Sequence, residues 1–305
     1  MSTGSASLTP CWASRPPHPP SYGTTCAPTG ADVNTEPRTP PPTSRVLITG
    51  AAGGFGRALA EEFVHSGIKV ALNGRNPQRL SEAADHLRRL GGEILVLPGD
   101  AADEAALGTA LRTAADAWNG LDCVIDNAGV AGPTGPLSST SVEEWWEGFS
   151  TNARTTLITL TAALPILRAS GGGRLLHISS AAGVHGWPYA GAYAAAKAAG
   201  INLCGTLDRE LALDPIRVFA FHPGIITTGL TAAALQENNS PDRWRRLHAA
   251  WFAQQVSQGR TVPLADATRC ALAIATGRHD NLSGRYITTG ELTRETPPPG
   301  ETPRH

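Results

Sequence analysis

Lysine is nearly missing from this chain. Of its 25 basic residues only Lys69 and Lys197 are lysines, so the ordinary surface cation is arginine. Acidic residues number 26 and the formal net charge is -1, which gives no broad electrostatic reason to expect nucleic acid or an anionic membrane as partner. No run approaches the roughly 20 apolar residues that a membrane span needs, and the N-terminus lacks the continuous apolar core of a signal peptide. The five cysteines (Cys11, Cys26, Cys123, Cys204, Cys270) are an odd number without metal-ligand spacing. They read as reduced, mostly buried residues of a cytoplasmic protein, and no metal site is expected.

Proline is unevenly placed. Ten of the 24 prolines lie in residues 1–44, among many Ser, Thr and Gly. Such a stretch cannot bury enough apolar surface to offset the entropy of ordering it, so residues 1–44 read as a disordered leader. The tail 294–305, with Pro297-Pro298-Pro299, reads the same way.

Between these ends, over residues 45–293, short apolar runs alternate with helical stretches and no internal repeat is visible. Val46–Ile48, Val70–Leu72, Ile94–Leu97, Cys123–Ile125, Arg174–Ile178, Val218–Phe221 and Arg285–Ile287 are the expected strands. Helices are expected near 56–66, 78–89, 104–118, 142–167, 192–213 and 265–276. This alternation predicts an α/β fold, a doubly wound parallel sheet of Rossmann type in a single domain.

Thr49-Gly50-Ala51-Ala52-Gly53-Gly54-Phe55-Gly56 falls between the first strand and the first helix. Glycines there let the backbone approach a pyrophosphate, and the helix N-terminus offers free N–H groups. After the second strand, where selectivity for NAD commonly uses an acid on the ribose 2′-hydroxyl, the chain has Gly74-Arg75. Arg75 suits a 2′-phosphate, which favours NADP(H) with NAD(H) still possible; alternatively it only caps a solvated turn.

Lys197 follows Tyr193 by four residues, and i and i+4 share one face of a helix. Ser179-Ser180 closes the fifth strand, thirteen residues before Tyr193, and Asn152 lies in the preceding helix. With the glycine loop, Asp126-Asn127-Ala128-Gly129 and Pro223-Gly224-Ile225-Ile226-Thr227-Thr228, this set resembles the short-chain dehydrogenase/reductase family, of its classical type, over about residues 45–290. The resemblance implies a hydride-transfer oxidoreductase interconverting a ketone or aldehyde and an alcohol. Tyr193 would be the acid/base, Ser180 would orient the substrate oxygen, Lys197 would hold the ribose hydroxyls and ease proton loss from the phenol, and Asn152 would anchor a relay water. A single positive charge about 4 Å away in a partly screened site stabilises a phenolate by about 4 kcal/mol.

By the same resemblance, Gly50, Gly54, Phe55 and Gly56 would cradle the pyrophosphate and Asp100 with Ala101 would approach the adenine. Asn127, Ala128 and Gly129 would line the ribose side, while Pro223, Gly224, Ile226 and Thr228 would meet the carboxamide and phosphates. Asp126 stands where the family often has asparagine, and no Asp-Gly-Gly follows Tyr286-Ile287, which leaves the end of the last strand open. The resemblance also implies a homodimer or homotetramer.

His185, Trp187 and Tyr189 fall where the family lines its small-molecule pocket; Trp187 either stacks on a flat or apolar substrate or packs structurally. Trp244, Leu247, His248, Trp251 and Phe252 share one helical face within residues 229–263, as a substrate lid or as a permanently packed helix. His177, His222 and Asp122 read as structural. Alternatives for the whole are a 3-oxoacyl-thioester reductase, an NAD-dependent alcohol dehydrogenase, a dinucleotide-binding regulator without turnover, and a structural subunit.

Overall fold

The computed structural model describes residues 39–295. The expectations for residues 1–38 and 296–305 lie outside the described residues. Seven strands, β1 (Arg45–Ile48), β2 (Lys69–Gly74), β3 (Ile94–Pro98), β4 (Cys123–Asp126), β5 (Gly173–Ile178), β6 (Ile216–His222) and β7 (Tyr286–Thr288), form one sheet. Its order is β3-β2-β1-β4-β5-β6-β7 and every pairing is parallel. The described residues make a single Rossmann-like domain.

Successive strand residues point to opposite faces, and two apolar clusters follow from that alternation. Val46, Ile48, Val70, Leu72, Phe219 and Phe221 pack under α1 (Gly54–His65), α2 (Pro77–Arg89) and α8 (Leu264–Ala275). Leu47, Ala71, Val124, Leu175 and Val218 pack under α3 (Glu104–Trp118), α4 (Val142–Ala169) and α5 (Gly191–Glu210). Strands covered on both faces are expected to be near-continuous apolar runs, and these are.

Helix ends follow local chemistry. Asn76 caps α2 by accepting from Arg79 N at 2.9 Å. Ser141 and Glu144 form a capping box at the start of α4. The fifth helix stops at Glu210, earlier than the expected Leu213. Asp214 N turns back to Leu211 O at 2.8 Å, and the following Pro215 disfavours a helical residue before it. After β7 the chain enters α9 (Thr289–Glu295) directly, with Thr288 and Glu291 exchanging hydrogen bonds at 2.7 and 3.2 Å. That settles the end of the last strand, and the helix continues past Arg294, where a loose tail was expected.

Between β6 and α8, the segment 229–263 contains α6 (Gly229–Leu235), a short 3₁₀ turn and α7 (Arg243–Ser257). The apolar face expected around Trp244 is only half buried, and Leu247 is exposed. No helix among the described residues is long and apolar enough to cross a membrane.

The ordered chain reaches back beyond Arg45, the boundary expected from composition. Thr43 Oγ1 donates to Ala275 O at 2.6 Å, Ser44 N donates to Asp122, and Pro41 O accepts from Arg174. Asp122 also pairs with Arg45 at the strand start, which gives it the structural role expected. Arg174 is 3% exposed and meets Asp280 through two hydrogen bonds of 2.8 and 2.6 Å. Removing one partner of a buried pair leaves an uncompensated charge. Asp280→Ala is therefore expected to lower the unfolding free energy by about 3 kcal/mol. The exposed pair Arg168–Asp214 has side chains 53% and 30% accessible, and Asp214→Ala should cost under about 1 kcal/mol. Urea denaturation of both variants checks the contrast; equal losses would contradict it.

Candidate active site

In an open parallel sheet, ligands bind outside the carboxyl ends of the strands where the strand order reverses. Here that point lies between β1 and β4. Thr49, just after β1, clasps the two loops together. Its Oγ1 accepts from Asn127 N and Ala128 N, both at 3.0 Å, and Asn127 Nδ2 donates to Thr49 O at 2.9 Å. Gly50 and Gly54 hold φ of 64° and 56°, a left-handed backbone that favours glycine. A Cβ on Gly56 would lie 2.5 Å from both Gly50 O and Asn127 Nδ2, so only glycine allows helix and loop to meet this closely.

Beside this loop lies a cavity of about 600 Å³ lined by Gly53, Gly54, Arg57, Arg79, His86 and Thr228 among others. Arg79 reaches back over the loop, with Nη2 2.9 Å from where a Cβ on Gly53 would stand. Arg75 is exposed after β2 and does not line this cavity. Arg57 and Arg79 are thus cationic groups that the sequence reading missed. The signal for Arg79 was weak, because its position on the first turn of α2 does not reveal that its side chain folds across the glycine loop. Asp100 is exposed and its Oδ1 accepts from Ala102 N at 2.9 Å, while neighbouring Ala101 is buried.

Across the sheet, Ser180 follows β5 and its Oγ accepts from Ala182 N at 3.2 Å. The turn it opens packs onto α5, since a Cβ on Gly183 would stand 2.8 Å from Lys197 C. Tyr193 lies on the first turn of α5 and Lys197 one turn further. Lys197 Nζ is 5.7 Å from the Tyr193 ring centroid and donates to Ile178 O at 2.7 Å. An ammonium has three donors, so two N–H groups remain for a ligand. Asn152 binds Val130 in the loop after β4, its Oδ1 accepting from Val130 N and its Nδ2 donating to Val130 O, while the second Nδ2 hydrogen goes to Gly148 O one turn back in α4, all at 3.0 Å. Its side chain therefore fastens α4 to that loop, leaving one Oδ1 lone pair for a water. Pro223 and Ile226 are buried; Pro223 O accepts from Thr289 Oγ1, and Gly224 turns at φ 88° against Val262. Gly229 at the start of α6 sits against Gly54, which brings Thr228 to the rim of the glycine loop.

Below Lys197 lies a buried pair. His177 Nδ1 and Asp126 Oδ2, on adjacent strands in register, are 2.7 Å apart. Burial works to raise the Asp126 carboxyl, but the His177 hydrogen bond and the Lys197 charge outweigh it and hold it below the ordinary carboxylate range. Burial, then the Lys197 charge, lowers the His177 imidazole despite Asp126. His177 Nε2 has no hydrogen-bond partner among the described residues and faces Gly200, which suits a neutral ring with Nδ1 protonated. His222 is also lowered, to about 4, by burial first and His185 second.

The family model for short chain dehydrogenases matches residues 44–239. An uncharacterised oxidoreductase of Staphylococcus aureus strain MW2 is 31% identical over 217 residues, covering 71% of this chain and 90% of the relative. A "Probable NADP-dependent dehydrogenase" of Haemophilus influenzae is 34% identical over 186 residues, covering 60% and 71%. Among solved structures, levodione reductase superposes with a TM-score of 0.73 at 24% identity, covering 82% of this chain and 96% of that one. A single-substitution variant of actinorhodin polyketide ketoreductase, solved with NADPH, gives 0.72 at 20% identity, covering 81% and 95%; both likenesses concern the fold. The chain belongs to the short-chain dehydrogenase family. It is a short-chain NAD(P)-dependent dehydrogenase/reductase, an oxidoreductase that works with a nicotinamide dinucleotide.

The buried imidazoles set an acid limit on stability. Unfolded histidine titrates near 6.5, and folded His177 and His222 resist the proton, so stability is present above that value and declines as pH falls below it. Between pH 7.5 and 5.5 the His222 contribution to unfolding free energy should fall by roughly 1 kcal/mol, and His177 acts in the same direction. Urea midpoints at the two pH values check this, and His177→Gln should show a smaller difference than the unaltered chain.

Proposed function

We propose that this chain is an NADP(H)-dependent oxidoreductase interconverting a ketone or aldehyde and an alcohol, with Tyr193 as acid/base. The observation that carries the reading is the Lys197 ammonium, buried beside the Tyr193 ring and fixed by Ile178 O. The cradle fits a dinucleotide: Gly56 admits no Cβ, α1 presents its N-terminus, and Arg57 and Arg79 face the adjoining cavity. When bound, the nicotinamide dinucleotide supplies hydride to a carbonyl carbon or accepts it from a carbinol carbon.

The protein's part is positioning and proton transfer. The Tyr193 hydroxyl gives its proton to the substrate oxygen in reduction and takes it back in oxidation. Ser180 Oγ hydrogen-bonds that same oxygen and fixes its direction. Lys197 spends its two remaining N–H groups on the ribose hydroxyls, and its charge favours the phenolate that proton transfer leaves behind. Asn152 holds the β4–α4 loop through Val130 and would offer its remaining lone pair to a relay water. A regulator without turnover would need none of this set.

Preference for NADP(H) is supported by Arg79 and Arg57, which line the cavity beside the loop together with Glu61 and Glu82, and by Gly74-Arg75 standing after β2 with no acid there. The relative from Haemophilus influenzae, whose name is NADP-dependent, points the same way. Self-association through α4 and α5 is supported by exposed Trp146 and Leu157 on α4.

Tyr193→Phe should reduce carbonyl turnover by roughly 10²- to 10⁴-fold while NADPH binding, read by its fluorescence, persists. Unchanged turnover would remove Tyr193 from the reaction. Arg79→Ala should raise the KM for NADPH about 10- to 150-fold, the worth of one charge-assisted hydrogen bond, with little effect on NADH. An equal loss for both cofactors would mean that Arg79 does not meet the 2′-phosphate.

A further inference from the structure

A second cavity, of about 290 Å³, opens at the start of α5. Its walls include Pro133, Pro136, Leu137, Trp145, Trp187 and Tyr189, and also Ala192, the residue that precedes Tyr193 in the chain. Gly191 draws Trp145 close to that helix end, since a Cβ there would lie 3.3 Å from Trp145 Nε1. No carboxylate, ammonium, guanidinium or imidazole lines the cavity among the described residues. Its volume lies at the small end of ligand sites, about 300–1,000 Å³.

The aromatic walls are tied to α7. Tyr189 stacks on Trp244 with centroids 4.9 Å apart and an interplanar angle of 28°. Trp187 meets Trp251 edge-on, also at 4.9 Å. Trp244 further lies 3.6 Å from where a Cβ on Gly135 would stand, so α7 leans on both sides of the cavity mouth. Tyr189 holds φ of 66°, a conformation costly for a bulky side chain. Its carbonyl accepts from Gly135 N at 2.8 Å, which locks the ring at the rim. Backbone strain of this kind persists only where surrounding contacts over-determine it, and such positions cluster at ligand clamps.

From the uncharged lining, the aromatic walls and the strained rim residue, we infer that the substrate is a small, flat, uncharged carbonyl compound bearing an aromatic ring system. A carboxylate or phosphate on the ring would enter a site with no cation to meet it, and burying an unpaired charge is strongly unfavourable. A flexible aliphatic chain would forgo the ring contacts that Trp145, Trp187 and Tyr189 offer. The inference rests on the proposed carbonyl chemistry only for where the reacting oxygen points; the class of molecule follows from the cavity itself.

Three probes separate the possibilities: 2-acetylnaphthalene (flat, neutral), 6-acetyl-2-naphthoate (flat, anionic) and octan-2-one (neutral, flexible). Binding to the NADPH complex is followed by quenching of tryptophan fluorescence, and turnover by NADPH oxidation. The neutral naphthyl ketone is expected to bind at least about tenfold more tightly than either comparison, the worth of one or two ring contacts. Tyr189→Gly suits the left-handed backbone and so keeps the fold. It and Trp187→Ala should each weaken the naphthyl ketone about tenfold and octan-2-one by clearly less, since an aliphatic chain loses apolar burial there but no ring contact. Three probes binding alike, octan-2-one or the naphthoate binding best, or both variants weakening every probe equally would each overturn the inference. Selective binding of the naphthyl ketone without turnover of any probe would uphold it while defeating the carbonyl-reductase reading.

Discussion

Burying an ammonium is costly unless its charge and hydrogens are met inside the protein. Lys197, 7% exposed, is the position around which this fold is arranged. Its single protein hydrogen bond, to Ile178 O at 2.7 Å, ties the second turn of α5 to the last residue of β5. The anionic Asp126 on the neighbouring strand supplies the compensating charge, itself held by His177. Arginine in this position would replace a compact point charge by a planar fork with a different donor geometry.

The rest of the site is a matter of where parallel strands end. Because every strand runs the same way, the loops after β1, β4, β5 and β6 all emerge at one edge, and the order reversal between β1 and β4 opens a crevice there. Thr49 and Asn127 close the crevice floor with hydrogen bonds of 2.9 to 3.0 Å, which fixes the glycine loop against the β4 loop. The cavity beside the glycine loop is lined by charged side chains of α1 and α2, Arg57, Glu61, Arg79 and Glu82, whereas the cavity at the start of α5 is lined by aromatic rings and by no charged group.

Much of this was legible in the residues. Strand positions such as Val46–Ile48 and Phe219–Phe221 read directly, because full burial on both faces demands continuous apolar runs. The i, i+4 spacing of Tyr193 and Lys197 placed both on one helical face before any coordinates, and the glycine spacing announced a tight strand-to-helix turn. Helix ends read less well where tertiary contacts decide them. After α5 the chain turns through Asp214 N to Leu211 O, and α9 starts directly after β7 because Thr288 and Glu291 cap its first turn.

The sequence by itself determined the order of elements, the parallel sheet and the family, because these follow from local periodicity and from motifs a few residues long. Only the tertiary structure decided that Arg79 rather than Arg75 overhangs the glycine loop, and that Asn152 binds Val130 across the β4–α4 loop. It alone brought Trp145, Trp187 and Tyr189 around one cavity with α7 leaning on its mouth. Each of these joins residues far apart in the chain through side-chain directions, and periodicity along one element says nothing about where another element's side chains arrive.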